Sequence, residues 1–346
     1  MAQWHQIVQK SIVQPTQLAA RFSVDLAGMA EVVQRYPMRI NPYYLGLIRE
    51  VNDPIWRQAV PDPVELSDTV CFQDPLAEET LSPVPNLIHK YPDRALFLVT
   101  SQCAMYCRFC TRKRKVGTER MVITDETIQA GLDYIRRTPA IRDVLVSGGD
   151  PLLLPDEMIN KLLAALRSIP TVEIIRIGSR VPCVLPMRVT RSLVSILKRY
   201  HPLYINTHFN HPVELTTEAA LACGRLIDAG IPLGCQTVLL RGVNDTPEVM
   251  RSLMQGLLRI RVKPYYIFQA DMTQGTNHFR TSIDTGLSIM RSLIGHTSGL
   301  AVPTYAVDAP GGGGKIPLVP DYVIEKSRTM IFENYCGTIC SYVDGG

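Results

Sequence analysis

Short apolar segments alternate with amphipathic segments from Arg94 onward, and this alternation constrains the fold more than any other feature of the sequence. Six strand–helix pairs in series indicate a parallel sheet with right-handed crossovers. We therefore predict an α/β fold in which the sheet curls into a partial (β/α)6 barrel rather than staying open and doubly wound. The apolar runs are 95–100, 143–147, 173–178, 203–207, 233–240 and 264–270, and the helical stretches are 126–137, 157–168, 190–200, 217–229, 247–260 and 285–294.

The two ends of the chain lack this alternation. Residues 1–90 combine helical patterns with proline-rich connectors and predict an N-terminal helical cap, whereas 91–300 form the barrel. Residues 301–346 contain four prolines and the run Gly311–Gly314, which predicts an irregular C-terminal segment.

The composition describes an ordinary globular protein. Hydrophobic residues make up 46% of the 346 residues and the net charge is only +4, so the charge is no indication of nucleic-acid binding. The apolar runs fall far short of the roughly 18 residues that a membrane helix needs. The N-terminus has no secretory pattern, and we expect a cytoplasmic protein without membrane or nucleic-acid partners.

Chemistry-bearing residues follow the predicted strands. In such barrels the active site lies on the loops at the C-terminal ends of the strands. In chain order these positions hold Cys103–Cys110, Gly148–Asp150, Ser179-Arg180, His208, Gln236 (within the fifth strand) and Asp271.

Three cysteines form the pattern C-x3-C-x2-C at Cys103, Cys107 and Cys110. Soft thiolates are the ligands of iron–sulfur clusters, and three of them leave one iron open for a substrate. The other six cysteines are scattered and the total of nine is odd, which does not fit a disulfide framework. A zinc–thiolate module that binds RNA through the basic run 112–115 is the alternative.

Five motifs in order resemble the lysine 2,3-aminomutases of the radical S-adenosylmethionine (SAM) superfamily. The resemblance runs from about Tyr36 to the end of the chain. The motifs are Ser-Gln-Cys103-Ala-Met-Tyr-Cys107-Arg-Phe-Cys110, Ser147-Gly-Gly-Asp-Pro-Leu152, Asn206-Thr-His-Phe-Asn-His-Pro212, Leu239-Leu-Arg-Gly-Val-Asn-Asp245 and Asp308-Ala-Pro-Gly-Gly-Gly-Gly-Lys315.

The resemblance implies a TIM-like partial (β/α)6 barrel of the radical SAM type, a 4Fe-4S cluster, S-adenosyl-L-methionine and pyridoxal 5′-phosphate. The three cysteines would hold the cluster, and a one-electron reductant such as flavodoxin or ferredoxin would supply electrons. Ser147, Gly148, Gly149 and Asp150 match the segment that holds the methionine amino group, and His208 and Gln236 match polar positions near the cofactors. From the residues alone, such an aspartate is more often a helix cap, and such a histidine is more often a structural residue.

Lys315 ends the glycine run. The run does not fit a phosphate-binding loop, because Ala309 and Ile316 occupy positions that require Gly and Ser/Thr. The resemblance implies instead that Lys315 bonds covalently to pyridoxal phosphate and that Lys90, Tyr91 and Arg94 hold its phosphate. Lys90 stands where the family usually has arginine, which keeps the charge but loses a bidentate contact.

Three further residues are implied in substrate binding. Arg112 matches the residue that binds the substrate carboxylate, while Asp271 and Asp308 match the pair that clamps the distal ammonium of lysine. The implied enzyme is an isomerase that interconverts L-lysine and L-β-lysine by 5′-deoxyadenosyl radical hydrogen abstraction and 1,2-amino migration.

Several alternatives stay open. Arginine or glutamate could replace lysine as substrate, and the product could serve the modification of elongation factor P, although the enzyme of that pathway lacks the four-glycine run. Longer relatives continue into a zinc-binding assembly segment, so we expect no structural zinc here and leave a homo-oligomer open. Cys336 and Cys340 replace non-cysteine residues of the family pattern, and we assign them no role.

Overall fold

The computed structural model describes residues 3–345, and its main element is a nine-stranded sheet whose spatial order equals the chain order. The strands are β1 Leu87–Tyr91, β2 Arg94–Leu98, β3 Asp143–Ser147, β4 Ile174–Gly178, β5 Leu203–Thr207, β6 Leu233–Leu239, β7 Lys263–Gln269, β8 Thr304–Ala309 and β9 Gly314–Leu318.

Twelve α-helices accompany these strands in the described part of the chain. Five precede the sheet, and the others cross over between the parallel strands. They are α1 Gln3–Gln9, α2 Pro15–Ala19, α3 Leu26–Arg35, α4 Pro42–Leu45, α5 Pro54–Ala59, α6 Asp125–Arg137, α7 Asp156–Arg167, α8 Val181–Val184, α9 Arg191–Leu197, α10 Thr217–Asp228, α11 Pro247–Arg259 and α12 Ile283–Leu293.

Strands β2 to β8 are parallel, and β1 and β9 add antiparallel edges. Along β6 every second residue is buried, while Gly234, Gln236 and Val238 between them are partly exposed. This period of two separates a face packed on helices from a face that lines the barrel interior. The helices start at short polar caps, such as the Thr216 hydroxyl, which accepts the N–H of Ala219 at 3.1 Å.

The two edges of the sheet meet through side chains. Lys90 on β1 contacts Asp308 on β8, and the Tyr91 hydroxyl on β1 accepts the backbone N–H of Lys315 on β9. The sheet therefore curls into a nearly closed barrel. All six predicted strand–helix pairs are confirmed, and β8 is a seventh parallel strand that was not predicted from the sequence.

The segment after residue 301 is less irregular than expected. Besides β8 and β9 it contains a small antiparallel sheet of β10 Val323–Glu325, β11 Thr329–Glu333 and β12 Ile339–Val343. The prolines that suggested irregularity lie at strand ends or, in the case of Pro317, within the edge strand β9, where a missing N–H is tolerated.

The N-terminal helices share one hydrophobic core with the barrel. Trp4, Leu18, Tyr44 and Trp56 belong to the same buried cluster as the apolar residues of the parallel strands. The division at residues 90 and 300 stays a prediction. No helix within residues 3–345 combines the length and apolar character needed to span a bilayer.

Candidate active site

The cysteine motif lies on the loop between β2 and α6. The thiols of Cys103, Cys107 and Cys110 are free and partly buried. Burial, Asp150 and the other two thiols raise the pKa of Cys103, and burial together with Cys107 raises the pKa of Cys110 to about 11. Thiols that raise one another's pKa lie close together, and three neighbouring thiolates are a ligand set that a soft iron–sulfur cluster takes.

Among residues 3–345 no group of three or more His, Cys, Asp or Glu side chains has the arrangement that would hold a metal ion.

The N-terminal segment holds the cysteine loop through backbone contacts. The Arg39 guanidinium donates to the carbonyl of Cys103 at 3.0 Å, and the N–H of Tyr106 donates to the carbonyl of Arg39 at 3.0 Å. The Asn41 amide donates to the carbonyl of Ala104 at 3.2 Å. The position of the motif therefore depends on residues far outside it.

A buried ion triad lies beneath the same loop. Arg108, between the last two cysteines, pairs with Glu65 at 2.5 Å, and Lys113 contacts the same carboxylate at 2.6 Å. Burial acts to raise the pKa of Glu65, but the two cations outweigh it and lower this pKa to about 2. The triad ties the cysteine loop to the short 3-10 helix Pro63–Leu66.

Gly148 and Gly149 bring the loop after β3 against the start of the cysteine loop. A Cβ atom at Gly148 would lie 2.3 Å from the carbonyl oxygen of Thr100, and one at Gly149 would lie 2.3 Å from that of Gln102. Gly148 also has a φ of 137°, which disfavours other residues. The glycines are therefore required for this close backbone approach, and Ser147 ends β3 just before them.

The carboxylate of Asp150 is saturated with hydrogen bonds. It accepts from the Ser179 hydroxyl at 2.7 Å and from the backbone N–H groups of Arg180, Val181 and Leu152. Burial raises its pKa, and these hydrogen bonds act in the opposite direction. Asp150 thus joins the loops after β3 and β4 as a capping residue.

His208 and Gln236 lie near the same end of the barrel. The Nε2 atom of His208 is 2.9 Å from the amide oxygen of Asn210, and its ring lies 5.4 Å from that of Phe109. Burial and the nearby Arg180 lower the pKa of His208 to about 3, so it is neutral at physiological pH. Gln236 is an interior-facing residue of β6.

Lys315 lies where the barrel closes. Its ammonium binds the carboxylate of Asp308, and Nζ is 4.8 Å from the centre of the Phe268 ring. Lys90 binds the other oxygen of Asp308 at 3.1 Å. One aspartate on β8 therefore joins a lysine on β1 and a lysine on β9.

The predicted phosphate-binding residues surround one aromatic ring. The Arg94 guanidinium lies 4.1 Å and the Lys90 ammonium 5.5 Å from the centre of the Tyr91 ring. With Lys315 they supply three cations and a phenol at the closure of the barrel, which fits a phosphorylated cofactor that bonds to an amine.

Asp271 faces this group from the end of β7. Burial and the carboxylate of Asp308 raise its pKa to about 7, although Lys315 and Lys90 act to lower it. Burial therefore disfavours the ionised form of Asp271 despite the two lysines, and a further cation beside the two aspartates would favour that form.

Arg112 is already paired in the structure. Its guanidinium makes a bidentate contact with Glu78, at 3.0 Å from Nε and 2.6 Å from Nη2. Glu78 is 5% exposed and is not predicted from the sequence. The only signal was a pair of adjacent glutamates ahead of β1, which is common on protein surfaces.

Arg180 is a second residue that received no role from the sequence. It follows β4, is 8% exposed and contacts the Cys107 thiol. Its position directly after a parallel strand was the available signal.

Comparisons with known proteins identify the family of the chain. Residues 97–253 match the Radical SAM superfamily, and residues 290–345 match the family described as Lysine-2,3-aminomutase. The chain is 53% identical to the L-lysine 2,3-aminomutase of Clostridium subterminale over 319 residues, which are 91% of this chain and 77% of that protein.

Two further relatives have similar coverage. The L-lysine 2,3-aminomutase of Methanococcus maripaludis is 54% identical over 91% of this chain and 74% of its own length. The glutamate 2,3-aminomutase of Clostridioides difficile is 49% identical over 87% of this chain and 72% of its own length. From the barrel, the cysteine loop and these similarities, the chain belongs to the lysine 2,3-aminomutase family of radical SAM isomerases.

Proposed function

We propose that this protein interconverts L-lysine and L-β-lysine as a radical SAM, pyridoxal phosphate-dependent 2,3-aminomutase. The observation that carries the proposal is the group of Asp271, Asp308 and Lys315, in which a lysine able to hold the cofactor adjoins two carboxylates able to hold a cationic substrate.

The family implies a 4Fe-4S cluster, S-adenosylmethionine and pyridoxal phosphate. When bound, these groups supply a radical that removes hydrogen from carbon and a conjugated ring that delocalises the unpaired electron. Cys103, Cys107 and Cys110 would hold the cluster, Ser147, Gly148, Gly149, Asp150, His208 and Gln236 would face S-adenosylmethionine, and Lys315, Lys90, Tyr91 and Arg94 would hold pyridoxal phosphate.

Asp308 controls the amine of Lys315. Its carboxylate accepts from the ammonium of Lys315 and from that of Lys90, so it holds a proton at the Lys315 nitrogen in the free protein. Lysine reacts as a nucleophile only as the neutral amine, and Asp308 is the acceptor in contact with that proton. The Phe268 ring beneath the ammonium limits where the nitrogen can move.

The two aspartates decide the substrate class. An ammonium placed between Asp271 and Asp308 would restore the ionised form of Asp271, whereas the side chain of glutamate would add a third negative charge. We therefore favour lysine, although the glutamate enzyme is also a close relative. Arginine carries the same charge and is the second candidate.

Arg112 would bind the α-carboxylate of the substrate. The Glu78 carboxylate holds its guanidinium by two hydrogen bonds and leaves the Nη1 donors for a second partner. The reaction also needs a one-electron donor, for which a flavodoxin or ferredoxin is the expected class.

The test is an anaerobic assay of the reconstituted protein with S-adenosylmethionine, pyridoxal phosphate, dithionite and equal amounts of lysine, arginine and glutamate, read by mass spectrometry. β-Lysine as the main product supports the proposal. β-Arginine or β-glutamate as the main product would support an aminomutase but contradict lysine as its substrate. If a protein with an intact cluster and bound pyridoxal forms no β-amino acid, the proposed activity is contradicted. Asp271→Asn is the matched variant, and we expect at least tenfold less β-lysine from it.

A further inference from the structure

Arg180 is a buried arginine in direct contact with a cysteine of the predicted cluster. Its Nη1 atom donates to the Cys107 sulfur at 2.8 Å. Its Nη2 atom donates to Glu214 at 2.8 Å and to the Gln58 side-chain oxygen at 2.6 Å. One guanidinium thus joins the cysteine loop, a carboxylate after β5 and the helix α5.

The surroundings of Arg180 fix its guanidinium. The Tyr44 hydroxyl donates to Glu214 at 2.7 Å, and the backbone N–H of Asn210 donates to the other oxygen of Glu214 at 2.6 Å. The rings of Tyr44 and Phe109 lie 5.6 Å and 5.1 Å from the guanidinium carbon. A charged group held from this many directions is preorganised for one position.

The hydrogen bonds of Arg180 are incomplete. Its Nε atom is buried and has no acceptor within residues 3–345. An unpaired buried donor on a charged group is costly, so this Nε–H points to an acceptor that residues 3–345 do not supply.

The guanidinium of Arg180 pairs with one carboxylate and can also stabilise negative charge on the Cys107 sulfur. Glu214 is the carboxylate paired with this guanidinium, and its two oxygens are shared with Tyr44, Asn210 and His211. A thiolate at Cys107 would be the second anion on a single cation. Any extra electron density on the sulfur is therefore stabilised directly by Arg180.

We propose that Arg180 is a positioning residue for the iron–sulfur cluster, and that its hydrogen bond to Cys107 raises the reduction potential of that cluster. The inference rests on the proposed function, because it requires a cluster on Cys107. A hydrogen bond and a positive charge at a ligand sulfur stabilise the reduced state, which carries one more electron. Without Arg180 the cluster should be harder to reduce.

The test is a redox titration of the cluster followed by electron paramagnetic resonance. Arg180→Gln is combined with Glu214→Gln, so that neither charge is left buried alone. We expect at least a tenfold lower ratio of reduced to oxidised cluster at fixed poise, which corresponds to a potential lower by about 59 mV for one electron. The signal arises only from molecules that carry the cluster, so incomplete loading does not distort it.

Two further variants complete the experiment. Arg188→Gln is the control, because Arg188 is also buried but binds Asp156 and the carbonyls of Leu152 and Leu154 instead of sulfur. The cluster potential of this variant should equal that of the wild type. Arg180→Lys keeps the charge and loses the forked contact, so we expect a smaller decrease of the cluster potential. If the double variant does not assemble a cluster, the potential of Arg180→Lys tests the role of Arg180.

The outcomes separate the two proposals. A wild-type potential in the double variant, or in Arg180→Lys when only that variant assembles, would overturn the role of Arg180. An equal decrease in Arg188→Gln would overturn it as well, because any buried arginine would then act alike. A wild-type protein that takes up no iron and sulfide would instead contradict the proposed function.

Discussion

Lys315 on β9 donates its backbone N–H to the hydroxyl oxygen of Tyr91 on β1 at 3.0 Å, although these strands are the opposite edges of the nine-stranded sheet. Next to this contact, Asp308 joins Lys90 and Lys315. The closure of the barrel and the proposed cofactor lysine are thus one structural feature. A change that separates the two edges also moves Lys315.

Lys315→Ala should abolish bound pyridoxal. The substitution removes the amine that would bond to the cofactor but does not touch the cysteine loop, so the brown colour of the cluster should remain. Absorbance after borohydride reduction measures the bound pyridoxal. Lys326→Ala is the control, because Lys326 is an exposed lysine just after β10. Covalent pyridoxal that persists in Lys315→Ala would rule out this lysine.

Tyr91→Phe should weaken pyridoxal phosphate binding severalfold. The substitution removes the hydroxyl that accepts the Lys315 N–H, and one such hydrogen bond contributes about 1 kcal/mol, or roughly fivefold in affinity. Absorbance titration of the cofactor-free protein measures this dissociation constant. Tyr342→Phe on β12 is the control, because the Tyr342 side chain is exposed. Equal affinities in both variants would argue against a role of the Tyr91–Lys315 contact in cofactor binding.

The barrel could be predicted from the sequence because each parallel strand and its helix carry a local periodic pattern. The strand β8 was missed for a physical reason: its residues Thr304–Ala309 lie between Pro303 and Pro310 and are followed by glycines, so the local signals are those of a loop. Pairing with β7 and β9 overrides them, which no local pattern reveals.

Some residues of the candidate site could be predicted from the sequence, and others could not. Cys103, Cys107 and Cys110 belong to one motif, and Asp308 and Lys315 belong to another. The family resemblance therefore identifies each of them by its position in a motif. Glu78, Glu65 and Arg180 act through partners 34 or more residues away in the chain, such as Glu78 with Arg112. Such pairs exist only after folding, and a single sequence gives them no distinctive pattern.

Lysine binding should weaken as the pH falls below 7. The raised pKa of Asp271, about 7, means that this carboxyl is neutral below that pH and no longer attracts an ammonium. One proton is involved, so the dissociation constant should rise by up to about tenfold for each pH unit below 7. Spectroscopic titration of the pyridoxal form between pH 5.5 and 8 measures it, and Asp271→Asn should remove this step. The same pH dependence in the variant would assign the proton elsewhere.

Asp271→Asn should also stabilise the ligand-free protein above pH 7. A carboxyl whose pKa rises from 3.8 to about 7 on folding binds more protons in the folded state, so the stability of the wild type falls as the pH rises across that interval. The amide has no charge to bury and escapes this loss. We expect a gain of at most about 4 kcal/mol at pH 8, from roughly 1.4 kcal/mol for each pKa unit of the shift, and little at pH 4, measured by urea unfolding. A variant less stable than the wild type at pH 8 would show that Asp271 is held by a favourable ion pair.

Glu65→Gln should destabilise the protein strongly. Glu65 is the shared anion of Arg108 and Lys113, all three side chains are at most 4% exposed, and the amide would leave two buried cations without a counterion. Removal of one partner from a buried ion pair costs about 3–5 kcal/mol. Urea unfolding measures the loss, and Glu173→Gln is the control because its ion pair with Arg142 is exposed and should contribute nothing measurable.

Since burial already lowers the pKa of Lys113 to about 8, the Glu65→Gln variant should recover part of its stability at high pH, where this lysine loses its charge. A loss that does not depend on pH would indicate that Glu65 acts by packing alone.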